Sequence, residues 1–351
     1  MQSEFFHGDA NMANKTPRRI ITVFGASGFI GRHLVRRLAN AGWVVRAACR
    51  DTEDAQFLRT MGDVGQVIPW GANVTDPTSV RVALENAEAA VNLVGILYES
   101  GKATFDRIHT DSAKLIAETA AELGIQNFVH MSALGASHTS KAAYARSKAA
   151  GEDAVMAVLP SAKIVRPSVV FGPEDNFFNK FASMSRFSPG LPVIGAPALP
   201  KISIGGDTGF SIDFLGDGGP KFQPVYVGDV AGAIVACLDD KSSDGQTYEL
   251  VGPRVYSFAD IMRLVLKNTS RKRFLAPIPF WVAEIKAAFL GILPKPLLTS
   301  DQVKLLHTDN VASGDFPGLD ALGVSPTPAE AILPIYLKRY QTPLAQSRVT
   351  E

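Results

Sequence analysis

Ser132, Tyr144 and Lys148 are the residues of this 351-residue chain whose types and spacing suit proton transfer. Tyr144 and Lys148 lie four apart in YARSK, so a helix puts them on one face. An ammonium beside a phenol lowers the phenol's pKa, and a nicotinamide cation lowers it further. The tyrosine can then pass a proton to or from a substrate oxygen held by Ser132, while hydride moves to or from the nicotinamide. A Tyr-x-x-x-Lys pair also arises by chance, and alone it reads as a surface helix with a solvated lysine. It means chemistry only beside a nucleotide.

The nucleotide signal lies between Ile21 and Arg50. A run of β-formers (Ile20, Ile21, Val23, Phe24) leads into Gly25, Gly28 and Gly31, spaced by three. Apolar residues at Phe29, Ile30, Leu34, Val35 and Leu38 then mark a helix that Gly42 closes, and Trp43 to Ala48 is a second strand. Between a strand and a helix, glycines let a pyrophosphate approach the N–H groups that open the helix, with Ser27, Phe29 and Ile30 completing the run. The alternative is a tight turn and nothing more. Where an NAD site carries an acid for the ribose, this second strand ends Cys49-Arg50-Asp51. Arg50, with Arg32 just after the third glycine, suits the 2′-phosphate of NADPH better than a diol, though NAD(H) and a solvated Arg50–Asp51 loop pair stay open.

The elements needed to position these residues follow in order. A polar helix from Asp54 to Met61 leads to a strand from Gln66 to Trp70, and Asn73-Val74 stands where an adenine is commonly bracketed. Thr75 or Asp76, with Pro77, opens a helix from Thr78 to Asn86. A buried strand from Ala89 to Val94 ends at Gly95, a helix runs from Phe105 to Leu123, and a strand from Asn127 to Met131 delivers Ser132. Five β-α repeats at this spacing predict an α/β fold with a doubly wound parallel sheet, whose carboxyl edge binds ligands. A strand from Lys163 to Phe171 is expected to return to the sheet. Val225 to Leu238 reads as strand then helix. Ser257 with Asp260 reads as a capping box, and Thr327-Pro328 with Glu330 opens the last helix. The expected organisation is a tail (1–17), a nucleotide-binding domain (18–165), a smaller lobe interleaved with the sheet (166–340) and a tail (341–351). Within the lobe, 195–222 reads as a long loop.

Composition narrows the classes. A hydrophobic fraction of 46% with 20% charged residues fits a globular protein with a large core, and a net charge of +1 argues against nucleic acid as a partner. Two cysteines, Cys49 and Cys237, without metal-ligand neighbours predict no disulfide framework and no metal site. No window reaches the ~18 apolar residues of a spanning helix. The basic run Lys267, Arg271, Lys272, Arg273 meets an apolar segment, Phe274 to Pro294. As a helix, 280–293 has no broad polar face, so it is expected to be buried in a lid, in a partner or in a lipid interface.

GASGFIG, YARSK, RPSVVFGPED (166–175) and FQPVYVGDVAGAI (222–234) resemble the extended and atypical short-chain dehydrogenase/reductase superfamily, over Arg19 to Tyr340. MGDVGQ, VNLVG, FASM and YELVGP are similar to the nucleotide-binding accessory subunits of respiratory complex I and to bacterial epimerase-like relatives. The resemblance implies a Rossmann fold of the short-chain dehydrogenase type and a tightly held, largely structural NADPH. It places Lys148 on the nicotinamide ribose, Pro167 and Ser168 near the nicotinamide, and Val94, Gly95 and Met131 along the cofactor. It further implies complex I subunits and a membrane surface as partners, on the cytoplasmic side of a bacterial inner membrane or the mitochondrial matrix side. The rival implication is an NADP-dependent oxidoreductase or nucleotide-sugar epimerase acting on a small-molecule substrate through Tyr144, Lys148 and Ser132. Two departures weigh against a proton relay. Ser132 is followed by Ala133 and Leu134, not by a second hydroxyl, and His109 stands where the superfamily often has Asn.

Overall fold

The computed structural model describes residues 19–197, 201–204, 210–291, 296 and 298–342. The tail 1–17, the end of the second tail from 343, and parts of the 195–222 and 274–294 segments lie outside them.

Seven strands form one sheet: β1 (Ile20–Phe24), β2 (Val44–Cys49), β3 (Val67–Gly71), β4 (Ala89–Asn92), β5 (Asn127–Met131), β6 (Lys163–Pro167) and β7 (Thr247–Leu250). Their spatial order is β7-β6-β5-β4-β1-β2-β3, and all six pairings are parallel. Strands buried on both faces need apolar residues at nearly every position, as the uninterrupted Ala89-Ala90-Val91 of β4 shows.

Helices cover both faces. On one, Leu34, Val35 and Leu38 of α1 (Phe29–Asn40) pack with Val230, Ile234 and Cys237 of α6 (Val227–Asp239). On the other lie α2 (Pro77–Leu84), α3 (Ser112–Glu122) and α4 (Ala143–Val158), through Val80, Ile116 and Val155. A second core of Phe171, Phe178, Phe181, Phe222 and Phe258 joins α5 (Phe178–Phe187), α7 (Phe258–Thr269), α8 (Phe280–Leu290), α9 (Ser300–Leu306) and α10 (Ala329–Leu337) into the smaller lobe. Asp76 accepts from the Thr78 N–H to start α2, and Ser257 and Asp260 form the capping box of α7, as their spacing predicts.

Several expectations are corrected. The helix expected from Phe105 begins as a π-turn, Asp106–Asp111, in which the Ser112 N–H reaches back to the Arg107 carbonyl. The widened turn thrusts the His109 carbonyl against Gly151 of α4, a contact that only a residue without a side chain accepts. The strand from Lys163 stops at Pro167. Val170–Phe171 pairs instead with Val225–Tyr226, which carries the chain into the smaller lobe. Residues 54–61 form a short 3₁₀ helix, Gln56–Met61. The Gly-rich stretch expected as a loop holds an antiparallel hairpin of Lys201–Ile204 with Phe210–Asp213, drawn from the alternating ISI and FSI triplets. Thr327 does not cap α10. Its N–H and hydroxyl go to Asp229 at 2.6 and 2.9 Å, and Pro328 holds the cap position. The lid alternative for α8 is not met within this chain: Ala283 and Ala287 are buried and Phe280, Val282 and Leu290 half-buried, while Trp281, Ile285 and Phe289 are exposed, which leaves the partner and lipid alternatives.

The Gly151 crossing gives a direct test. Gly151→Ala should destabilise the protein by about 1–3 kcal/mol in denaturant unfolding, because a methyl there displaces the π-turn.

Candidate functional site

The strand order reverses between β1 and β4, where an open parallel sheet leaves a crevice at its carboxyl edge. The sequence-expected residues lie there, at the ends of successive strands: Gly25 after β1, Arg50 after β2, Asn73 after β3, Val94 and Gly95 after β4, Met131 and Ser132 at β5, Pro167 and Ser168 at β6.

The cradle is built by close backbone approach. Gly25 turns with φ +79°, and a Cβ on it would meet the Leu93 and Val94 backbone at 3.3–3.4 Å. A Cβ on Gly31 would overlap the Gly25 and Ala26 carbonyls, so α1 can begin this near β1 only with glycine. Gly28 is exposed at the start of α1, and no side chain caps the helix. Ser27, Phe29 and Ile30 are each partly exposed around this opening. Uncapped N–H groups, the positive end of the helix and the absent side chains fit a pyrophosphate.

After β2, Asp51 accepts from the Glu53 and Asp54 N–H groups at 2.9 and 3.3 Å, which spends it on a turn. Arg50 is exposed. The Arg32 guanidinium lies 4.9 Å from the Phe57 ring centroid and donates to the Ser27 and Gly28 carbonyls at 3.4 Å. Asn73 also serves a turn, accepting from the Thr75 N–H at 3.1 Å, and Val74 packs partly buried beside α2.

At the other end of the crevice the site is basic and buried. Lys148 is buried and donates to the Met131 carbonyl at 3.1 Å. Burial lowers its pKa to about 8, against a smaller raising effect of Glu152. The Tyr144 phenol is pushed up to about 12 by burial, and Lys148 does not lower it as the sequence spacing suggested. The Ser132 hydroxyl is buried with no partner among the described residues. An unsatisfied polar atom at the sheet edge suits a ligand oxygen. Ser168, by contrast, is committed: its hydroxyl donates to the Gln223 carbonyl.

His109 is fixed in one neutral form. The Ile96 N–H donates to Nε2 at 3.0 Å, so Nδ1 holds the proton and donates to Ser147 at 2.8 Å. Ser147 donates in turn to the Tyr144 carbonyl at 2.8 Å. Burial, and secondarily Lys148, push the His109 pKa down to about 3. It packs edge-on against Tyr144, with ring centroids 5.4 Å apart.

Three contributors are missing from the sequence reading. Asn92, at the end of β4, accepts from the Val94 N–H at 3.0 Å and donates to Nδ1 of His130 at 3.2 Å, bracing the loop that follows. His130 is buried and also held neutral, with a pKa of about 3 from burial and then the charge of Lys148. Asp301 caps α4 from α9, accepting from the Ala143 and Tyr144 N–H groups at 2.7 and 2.9 Å. Polar residues inside a strand run signal the first two. Nothing local signals Asp301, 158 residues from its partner.

A family model for the NAD dependent epimerase/dehydratase family matches residues 21–251. Mouse NADH dehydrogenase (ubiquinone) 1 alpha subcomplex subunit 9, mitochondrial, is 35% identical over 327 residues, 92% of this chain and 81% of that protein. Ceramide reductase of Caulobacter vibrioides is 36% identical over 177 residues, 50% of this chain and 54% of that protein. Among solved structures, UDP-glucose 4-epimerase of Thermus thermophilus in complex with NAD superposes with a TM-score of 0.62 at 16% identity, covering 92% of this chain and 98% of that one. That likeness shows the fold.

A buried ammonium held for a ligand should weigh on the free protein. The folded-state pKa of Lys148, about 8, lies below the ordinary 10.5. Between those values the unfolded chain binds the extra proton, so this group makes stability rise with pH there, and the full penalty applies below pH ~8. Lys148→Met should therefore raise the melting point of the nucleotide-free protein at neutral pH, flatten the rise above pH ~8, and weaken nucleotide binding.

Proposed function

We infer the function from one premise: this chain belongs to the NAD dependent epimerase/dehydratase family, and it is homologous to the complex I subunit 9 proteins. We propose that it is a nucleotide-holding accessory or assembly subunit of a respiratory NADH:quinone oxidoreductase, peripheral on the cytoplasmic side of a bacterial inner membrane, with the complex I subunits as its partners. The carrying observation is the likeness to the mouse subunit, which runs through both lobes and spans most of each chain. Among the described residues no helix is long and apolar enough to cross a membrane, which is compatible with peripheral attachment.

The bound nucleotide in this reading is NADPH. Arg50 and Arg32 replace the acid that would select NAD, and Asp51 is spent on its turn. Gly25, Gly28 and Gly31 take the diphosphate, and Lys148 and Met131 face the nicotinamide half. When bound, the nucleotide brings a hydride that can be donated. The chain's own groups are set for holding it. Lys148 is anchored to a carbonyl, the phenol keeps its proton, and both histidines stay neutral. Ligand binding then becomes folding stability, about 2.7 kcal/mol when free ligand is a hundredfold above its dissociation constant.

One observation favours a second reading. The unpartnered Ser132 hydroxyl stands at the same edge as Tyr144 and Lys148, and a relative named ceramide reductase matches half of the chain. In that reading the protein reduces a carbonyl with NADPH, Tyr144 supplying the proton.

Thermal melting with NADPH and NADH, followed by incubation of the loaded protein with carbonyl compounds, separates the two. The subunit reading expects NADPH to raise the melting point by several degrees and more than NADH, the nucleotide to stay reduced, and Tyr144→Phe to change neither. An unshifted melting point with both nucleotides sinks it. Nucleotide oxidation that Tyr144→Phe abolishes, with binding kept, selects the reductase.

A further inference from the structure

Two Arg-Phe pairs meet at one corner of the smaller lobe. Arg186-Phe187 ends α5, and Arg273-Phe274 opens the strand Phe274–Ile278, which pairs with Gly190–Ile194. They are stitched together: Arg273 Nε donates to the Ser185 carbonyl at 3.0 Å, and the Phe274 ring lies over Gly190, where a Cβ would come within 2.6 Å of it. Arg271 joins them, its Nε donating to the Tyr340 carbonyl at 3.0 Å. The three guanidiniums feel one another. The pKa of Arg271 is lowered by burial and then by the charges of Arg273 and Arg186.

No carboxylate answers this cluster. Arg81, Arg166, Arg254 and Arg263 each pair with an acid, whereas among the described residues Arg186, Arg271 and Arg273 form no ion pair. Arg271 and Arg273 are held by main-chain carbonyls and Arg186 lies over the Phe187 ring, contacts that place them without neutralising them. Such crowding costs Coulomb energy in the free protein and is relieved by an external anion.

The cations are interleaved with exposed aromatic surface. Phe187 is 81% exposed and Phe274 62%. The strand that begins at Phe274 runs through Pro279 into α8, where Trp281, Ile285 and Phe289, four apart, form one uncovered stripe. An acidic protein face is the alternative, since arginine and aromatic residues also mark protein interfaces, and vesicle flotation separates the two. A bilayer interface satisfies cations and rings together: anionic headgroups meet guanidiniums, and amphipathic aromatic rings favour the headgroup level.

We propose that Arg186, Arg271 and Arg273, with Phe187 and Phe274, form a docking surface for the anionic phospholipids of a membrane, and that the Trp281–Ile285–Phe289 stripe of α8 lies in the same interface. This deepens the peripheral-membrane part of the function proposed above by naming the surface and the lipid class. It does not depend on the nucleotide.

Flotation of the full chain with phosphatidylcholine vesicles, with and without phosphatidylglycerol, tests it. Binding should require the anionic lipid, fall with added salt, and blue-shift the emission of the exposed Trp281. At ~1 kcal/mol per arginine near such a surface, roughly fivefold each, Arg186→Gln/Arg271→Gln/Arg273→Gln should weaken binding on the order of a hundredfold. Phe187→Ser/Phe274→Ser should weaken it with the salt dependence retained. Equal binding to both vesicles, or a triple variant that floats like the parent, overturns the proposal. It is also overturned if the triple variant floats normally yet is lost from the detergent-solubilised assembly, since an acidic protein then occupies the corner. Melting with NADPH is run on every variant. Vesicle binding without a nucleotide shift in the parent protein would sink the nucleotide-holding reading and leave the docking surface standing.

Discussion

The fold depends on a contact that leaves no room for a side chain. Gly31, in the first turn of α1, rests against the carbonyls of Gly25 and Ala26 at the end of β1. That contact sets the helix over the sheet and aims its unpaired N–H groups at the crevice between β1 and β4. The positive φ of Gly25 makes the turn sharp enough, and α6 closes over α1 from the far side. Every ligand contact argued above inherits its position from this junction.

A second constraint is electrostatic. The carboxyl ends of β4 and β5 concentrate Lys148, His109 and His130 in a buried space, and the protein resolves the conflict by keeping both imidazoles neutral. Their tautomers are set by the Ile96 N–H and the Asn92 amide, so the lysine carries the positive charge there. The π-turn that delivers His109 exists because α4 has Gly151 at the crossing. Asp301 caps the same helix from the smaller lobe. His109, Ser147, Tyr144 and Asp301 thus join the lysine cluster to the lobe that bears α8 through short polar links.

How much of this could be read from the sequence depends on the range of each interaction. The first β-α-β unit, the caps of α2 and α7 and the strand that delivers Ser132 are encoded within a few residues, and they fall where pattern reasoning places them. The π-turn, the break after Pro167 and the capture of Thr327 by Asp229 are decided by partners far along the chain, so local propensity misplaces them. The Tyr144–Lys148 spacing fixed the shared helix face but not the outcome. Only the packed structure shows Lys148 turned to the Met131 carbonyl while burial governs the phenol. The lack of a broad polar face on α8 read as burial against something, and within this chain the neighbouring elements fully bury only Ala283 and Ala287.

The central claim is that the opening of α1 is a phosphate site, and Gly28 isolates it. Its φ of −70° suits any residue, and a Cβ there would meet only the Gly25 carbonyl, at 3.1 Å. Gly28→Ala should therefore fold with a nearly unchanged melting point while its methyl keeps the diphosphate from the backbone. Isothermal titration of this variant with NADPH is the direct measurement. The account expects affinity to fall by at least about tenfold, some 1.4 kcal/mol; a folded Gly28→Ala protein that binds NADPH as tightly as the parent would contradict it.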